Sequence, residues 1–200
     1  MAESERLADS AGSMFDFLGG RGRRRPRPSP REEIEDFVSD RANYFPAIEE
    51  AAEAMNASLG AAGPSLEALT ARAASRHGVS VHRVPDGEML PSGERFEPDA
   101  RRLLFSDRLP RQSLRFRLAR FLGGVEHGAL LDRLAAGAGL TSPEATERLK
   151  RALASYLAAA MLMPYAAFRQ SAAELRQDLT RLCALYDCSF EQVCHRLATL

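Results

Sequence analysis

The sequence predicts an α+β fold that is mostly helical, with a small β-sheet beside a helical core. Three observations carry this. Leu114, Leu118, Phe121, Leu122 and Val125 recur at i, i+4, i+7, i+8 and i+11, the period of a helix with one buried stripe. Leu149, Leu153, Tyr156, Leu157, Ala160 and Met161 repeat that period some forty residues later, so the two helices should pack on each other. Ahead of them, Val79-Ser80-Val81-His82-Arg83-Val84 switches to period two, the pattern of a strand.

Composition bounds the rest. Two hundred residues with 45% hydrophobic content suffice for one core, so one domain over residues 31–200 is expected. Twenty-seven basic residues balance 27 acidic ones, which leaves no global field to draw the chain onto nucleic acid. Cys183, Cys188 and Cys194 are an odd number crowded into one stretch, whereas a disulfide framework uses an even number spread over the fold. Reduced thiols in a cytoplasm are expected. No run approaches the roughly 18 apolar residues of a membrane span. The N-terminus carries Glu3 and Glu5 and lacks the apolar core of an export signal.

Taken in order, residues 1–30 read as a disordered tail or linker, because Gly19 to Pro30 mixes glycine, proline and five arginines in seven residues. Those arginines suit either plain solvation or contact with phosphate. Met14, Phe15, Phe17 and Leu18 form a small apolar cluster upstream. A helix should start at Ser29-Pro30, where a capping hydroxyl and the acidic turn Glu32-Glu33 precede Ile34, Phe37 and Val38. Near Phe45-Pro46 it either continues or breaks, since the residue before proline is pushed away from helical geometry. A second helix carries Ile48, Ala52, Met55 and Leu59 until Gly60 to Pro64, and a third carries Leu66, Leu69 and Ala73 until Gly78. The sheet is expected near 79–105, with turns at Pro85-Asp86-Gly87 and Pro91-Ser92-Gly93, a short strand around Arg95-Phe96 and another over Arg101–Phe105.

The helical core spans 110–164, interrupted near Gly137-Ala138-Gly139. Thr141-Ser142-Pro143-Glu144 supplies a capping hydroxyl, a first-turn proline and a reciprocal glutamate. Pro164 stops the second core helix. Capping boxes at Ser171-Ala172-Ala173-Glu174 and Ser189-Phe190-Glu191-Gln192 announce a terminal helix pair over 171–199.

Two segments carry a resemblance. Arg115-Phe116-Arg117-Leu118-Ala119-Arg120-Phe121-Leu122-Gly123-Gly124, with Leu162-Met163-Pro164, resembles the ImmA/IrrE zinc peptidase-like domains, whose core helix reads roughly R-F-T-L-A-H-E-L-G-H. The frame is kept and the metal residues are not. A catalytic zinc needs two imidazoles one turn apart and a carboxylate to activate water, and Arg120-Phe121-Leu122-Gly123-Gly124 supplies neither. The family's third ligand is a glutamate about ten residues before its Met-Pro pair, where this chain has Arg151-Ala152-Leu153-Ala154. The resemblance implies a peptidase scaffold without peptidase activity, catalytic residues or metal.

A narrower resemblance spans roughly residues 31–200. Asn43-Tyr44-Phe45-Pro46, Arg95-Phe96-Glu97-Pro98, Tyr156, Met161-Leu162-Met163-Pro164-Tyr165, Phe168 and the run Ser189-Phe190-Glu191-Gln192-Val193-Cys194-His195-Arg196-Leu197 are similar to the short-chain fatty acyl transcriptional regulators of bacteria. That group combines an N-terminal helix-turn-helix, a degenerate ImmA/IrrE-like middle and a cysteine-bearing C-terminal segment. The resemblance implies a sensor domain for a short-chain acyl-CoA effector, with no other cofactor. DNA would be contacted only through a helix-turn-helix, and none reads out of the sequence before residue 31.

An acyl-CoA sensor needs cations for phosphate and an apolar slot for the acyl chain. Arg115, Arg117 and Arg120 on the first core helix, with Tyr156, Met163, Tyr165 and Phe168 as an apolar wall, are the candidate ligand-binding residues. The alternative is that the aromatics and methionines are core and the arginines a solvated face. On that view the chain is a structural or dimerisation module; a metallopeptidase with relocated ligands is the other alternative. The spacing Cys-x4-Cys-x5-Cys-His matches no standard metal motif, so the cysteines read as buried thiols. Glu126-His127 does not converge on one ion, because helical neighbours lie about a hundred degrees apart. His77 and His82 read as a helix-end and a strand-face residue, and Gly123-Gly124 as a site of close helix packing.

Overall fold

A computed structural model describes residues 29–60, 63–86 and 93–200. The arginine-rich stretch and the Met14–Leu18 cluster lie outside these residues. So do Ala61-Ala62 of the expected helix stop, Gly87 and Pro91-Ser92 of the expected turns.

Helix α1 (Pro30–Ser39) begins with a full capping box: Ser29 Oγ accepts from the Glu32 backbone N–H, and the Glu32 carboxylate accepts from that of Ser29. Helix α2 (Pro46–Leu59) uses Pro46 as its first residue and ends on Gly60 at φ 68°, a left-handed cap that glycine takes without a Cβ penalty. Helix α3 (Leu66–His77) is capped by Ser65 and ends on Gly78 at φ 63°.

Three strands follow: β1 (Ser80–Val84), β2 (Glu94–Glu97) and β3 (Arg102–Ser106). Their order is β1-β3-β2, with β1 parallel and β2 antiparallel to the central β3. Register runs from Ser80 opposite Arg102 to Val84 opposite Ser106, and Glu94 stands opposite Phe105. Leu103, Leu104 and Phe105 are all buried, as expected of a central strand covered on both faces.

Helices α4 (Arg111–Ala136) and α5 (Pro143–Leu162) form the spine. A Cβ placed on Gly123 would lie 2.8 Å from Cδ2 of Leu157, so the absent side chain sets how closely α4 and α5 approach. Gly124 has no such role, since its Cβ would meet nothing within 4 Å. The apolar stripe of α4 also runs differently from the one expected. Leu114, Leu118 and Leu122 are buried, but Val125 is 51% exposed. The buried face continues from Leu118–Ala119 to Leu122–Gly123, which puts Glu126 inward and turns Val125 to solvent. At His127 (φ −120°, ψ 19°) the helix kinks before burying Leu131 and Ala135.

Ser142 caps α5 by accepting from the Ala145 N–H, with Pro143 in the first turn. The reciprocal glutamate is not used: Glu144 pairs with Arg148 at 2.9 Å. Thr141 is instead held by the Glu33 carboxylate, through its backbone N–H at 2.9 Å and through its hydroxyl.

The C-terminal part differs most from the sequence reading. Ser171 caps nothing, because it lies inside α6 (Tyr165–Glu174), which begins directly after Pro164. Arg176 and Gln177 then adopt left-handed φ values of 51° and 58° and reverse the chain. Helix α7 (Leu179–Tyr186) is capped by Asp178, whose carboxylate accepts from the Arg181 N–H, and ends on Asp187 at φ 48°. Helix α8 (Phe190–Leu197) carries the expected Ser189–Gln192 capping box. Two aspartates, at a cap and at a left-handed stop, thus set a boundary that the Ser-x-x-Glu pattern at 171–174 does not. Among the described residues no helix is long and apolar enough to cross a membrane.

Candidate functional site

Helices α4, α5 and α8 enclose a cavity of about 730 Å³. Helix α4 gives it Ser113, Phe116, Arg117 and Arg120, one face at helical spacing. Helix α5 gives Leu149, Ala152, Leu153, Tyr156 and Ala159, and α8 gives Gln192, His195 and Arg196. Val38, Asn43 and Phe45 close one side, and Glu94 of β2 stands on another.

On the α8 side the lining residue Arg196 belongs to a buried ion pair. Arg196 has a fully buried side chain and donates Nη1 and Nη2 to the two oxygens of Glu49, at 2.6 and 2.9 Å, and Nε to the Met163 carbonyl at 2.9 Å. Tyr156 donates its hydroxyl to Glu49 at 2.6 Å. Burial and the adjacent carboxylate hold the Tyr156 phenol well above the ordinary tyrosine range, so it stays a neutral donor. Phe45 packs edge-on against the Tyr156 ring at 5.2 Å. At the other side, Arg117 and Arg120 reach Glu94 at 3.1 and 2.6 Å, and all three side chains are about one-third exposed. The cavity therefore joins an apolar middle to a partly exposed edge of two arginines bridged by Glu94.

Of the seven residues singled out from the sequence, Arg117, Arg120 and Tyr156 line this cavity. Arg115 does not. It is buried and donates to the carbonyls of Pro64 (2.8 Å), Tyr186 (2.8 Å), Asp187 (3.1 Å) and Gly63 (3.3 Å), tying α4 to the end of α7. Met163 is buried and contributes its backbone carbonyl to Arg196. Tyr165 packs on Tyr44 at 4.9 Å and under the Arg196 guanidinium at 5.6 Å. Phe168 is core, edge-on to Tyr186 at 5.3 Å. Sequence reasoning missed Arg196, Glu49, Phe45 and Phe116. The available signal was weak: Arg196 follows the buried Val193 by three residues, and Glu49 follows the buried Ile48.

Arg120, which stands where the zinc-peptidase pattern has its first histidine, lines the cavity, as do Ala152 and Leu153 from the stretch that matches its third ligand; Gly124, at the second histidine, does not. Phe121, at the position of the pattern's glutamate, packs on Phe96 at 5.0 Å. Glu126 lies a turn further on, where burial alone would raise its pKa. Hydrogen bonds from Arg72 (2.5 and 2.7 Å) and His77 (2.9 Å) outweigh that and hold it at about 2. Burial lowers the pKa of the neighbouring His127. Among the described residues no three His, Cys, Asp or Glu side chains are grouped to hold a metal ion. The three cysteines are free; Cys188 is buried, which pushes its thiol up to about 11, and Cys183 and Cys194 are half-buried.

Comparison with known proteins agrees with this architecture. The chain is 33% identical over 196 residues to the HTH-type transcriptional regulator RamB of Mycobacterium tuberculosis, covering 97% of this chain and 40% of that protein. It is 37% identical over 200 residues to a propionyl-CoA carboxylase regulator of Cereibacter sphaeroides, covering 98% and 40%. With the HTH-type transcriptional regulator PrpR of Mycobacterium tuberculosis it shares 34% over 175 residues, covering 87% and 36%. The chain thus spans about 40% of the length of these relatives. A solved structure of a Mycobacterium tuberculosis transcriptional regulator superposes with a TM-score of 0.80 at 34% identity, over 86% of this chain and 52% of that one. Residues 74–198, from the end of α3 through α8, match the profile described as IrrE N-terminal-like domain, and the chain belongs to that family.

Proposed function

We propose that this chain is the effector-sensing part of a cytoplasmic bacterial regulator of short-chain acyl-CoA metabolism, that its effector is a CoA thioester bound in the α4–α5–α8 cavity, and that it has no peptidase activity. The observation that carries this is the cavity itself: Arg120, at the first histidine of the peptidase pattern, and Ala152 and Leu153, from the stretch matching its third ligand, help line a space with an apolar middle and two arginines at its edge. Leu149, Leu153, Phe116 and Phe45 suit an acyl chain, and Arg117 and Arg120 suit phosphate. Arginine and glycine at 120 and 124 neither ligate zinc nor activate water, which supports a scaffold retained without its chemistry. The relatives, HTH-type regulators and a propionyl-CoA carboxylase regulator, support the regulatory setting. DNA contact would then belong to a helix-turn-helix rather than to the cavity-bearing residues.

A thermal-shift titration with acetyl-, propionyl- and methylmalonyl-CoA, free CoA and zinc tests the reading. A ligand that binds only the folded state adds about 2.7 kcal/mol at a hundredfold excess over Kd, a rise of roughly 5–10 °C in Tm for a chain of this size. We expect that rise with at least one acyl-CoA and none with zinc. No shift with any CoA species at millimolar excess refutes sensing by this chain.

A further inference from the structure

We propose that Glu94 is a resident counter-ion, which a phosphate-bearing ligand must displace from Arg117 and Arg120 to enter the cavity; this rests on the effector reading above. Glu94 opens β2, and its register opposite Phe105 of the central strand fixes where its carboxylate reaches the cavity. Arg117 and Arg120 are three residues apart on one face of α4. One oxygen of Glu94 accepts from Arg117 at 3.1 Å and the other from Arg120 at 2.6 Å, so a single anion bridges both guanidiniums.

That is also how a phosphate would sit. A phosphate group offers more acceptor oxygens than a carboxylate and up to twice its charge, and so wins the exchange. A free short-chain carboxylic acid offers only what Glu94 already gives, and gains little. The carboxylate thus makes the site select phosphorylated ligands over the free acids from which their acyl groups derive. Displacement is inexpensive for the protein, because Glu94 lies about one-third exposed on an edge strand, where water can take over its hydrogen bonds. Arg196, the third guanidinium at the cavity, is engaged by Glu49 and the Met163 carbonyl, so the exchange is confined to the α4 pair.

The test is calorimetric titration of the whole chain with propionyl-CoA and, as a probe without an acyl group, inorganic pyrophosphate. Glu94→Gln is expected to tighten both about five- to tenfold, the equivalent of freeing two partly exposed ion pairs. Glu97→Gln removes a negative charge from the same strand, where Glu97 pairs with Arg95 and Arg102 rather than with the α4 arginines, and should change binding less than about twofold. If wild type binds propionyl-CoA and Glu94→Gln binds no more tightly, the counter-ion proposal is overturned and the effector reading stands. An equal gain from Glu97→Gln also overturns it, because the effect is then general charge repulsion. If Glu94→Gln tightens pyrophosphate while no variant binds propionyl-CoA, the counter-ion survives and the effector reading fails. If neither probe binds to either protein, both fail.

Discussion

Arg115 and Arg196 are both guanidiniums sunk into the core, and each is satisfied by a different kind of partner. Arg115 takes backbone carbonyls from two separate loops, whereas Arg196 takes a carboxylate 147 residues away in sequence. That separation is why the sequence could not distinguish them: an arginine at a helical position reads the same whether it faces solvent or a buried acid. Of the cationic candidates, Arg117 and Arg120 faced the cavity and Arg115 did not, although all three lie on one helix. The missed pair has a clear energetic signature. Removing one member of a buried ion pair leaves an uncompensated charge and costs about 3–5 kcal/mol. Arg196→Met should therefore lose about that much in urea denaturation, with Glu49→Gln in the same chain recovering part of the loss, since the orphaned carboxylate is gone. Strictly additive losses would show that the two residues do not act as a pair.

Periodicity located α4 and α5 well, and caps located several helix ends, because each of those signals is local. Ser29, Ser142 and Ser189 each cap the helix that they precede, and Ser65, which the sequence reading did not single out, does the same. Ser171-Ala172-Ala173-Glu174 has the same residue pattern and caps nothing, since α6 had already started at Tyr165. A capping box marks a possible start, and packing decides whether the chain uses it. The two adjacent glycines of α4 make the same point. Gly123 faces Leu157 and Gly124 faces open space, a difference set wholly by the partner helix. Gly123→Val should destabilise the fold by about 1–3 kcal/mol through overpacking, while Gly124→Ala should stabilise it by up to about 1 kcal/mol through helix propensity. Chemical denaturation of both variants checks this. The reverse ranking would mean that α4 and α5 do not meet at Gly123.

The helical core and the three strands were legible in the sequence, and so was the family, because period, turn chemistry and the ordered segments of resemblance do not depend on long-range geometry. The cavity was not legible. It is built from residues of α4, α5 and α8 together with the α1–α2 connection and β2, and only their packing brings Ala152, Arg120 and Gln192 to one space. Whatever the cavity holds is in contact with α8 as well as with the spine, and α8 is fastened by Arg196 through the same Glu49 that Tyr156 binds. The central claim is that a CoA thioester occupies this cavity, and calorimetry of propionyl-CoA binding to the wild type and to Ala152→Trp tests it most directly. Ala152 lines the cavity from an exposed position on α5, so the larger side chain fills the space without entering the core. Binding by the wild type, weakened at least about tenfold in a variant of unchanged melting temperature, is the predicted result. Equal affinity in both proteins, or no binding by the wild type, would contradict the account.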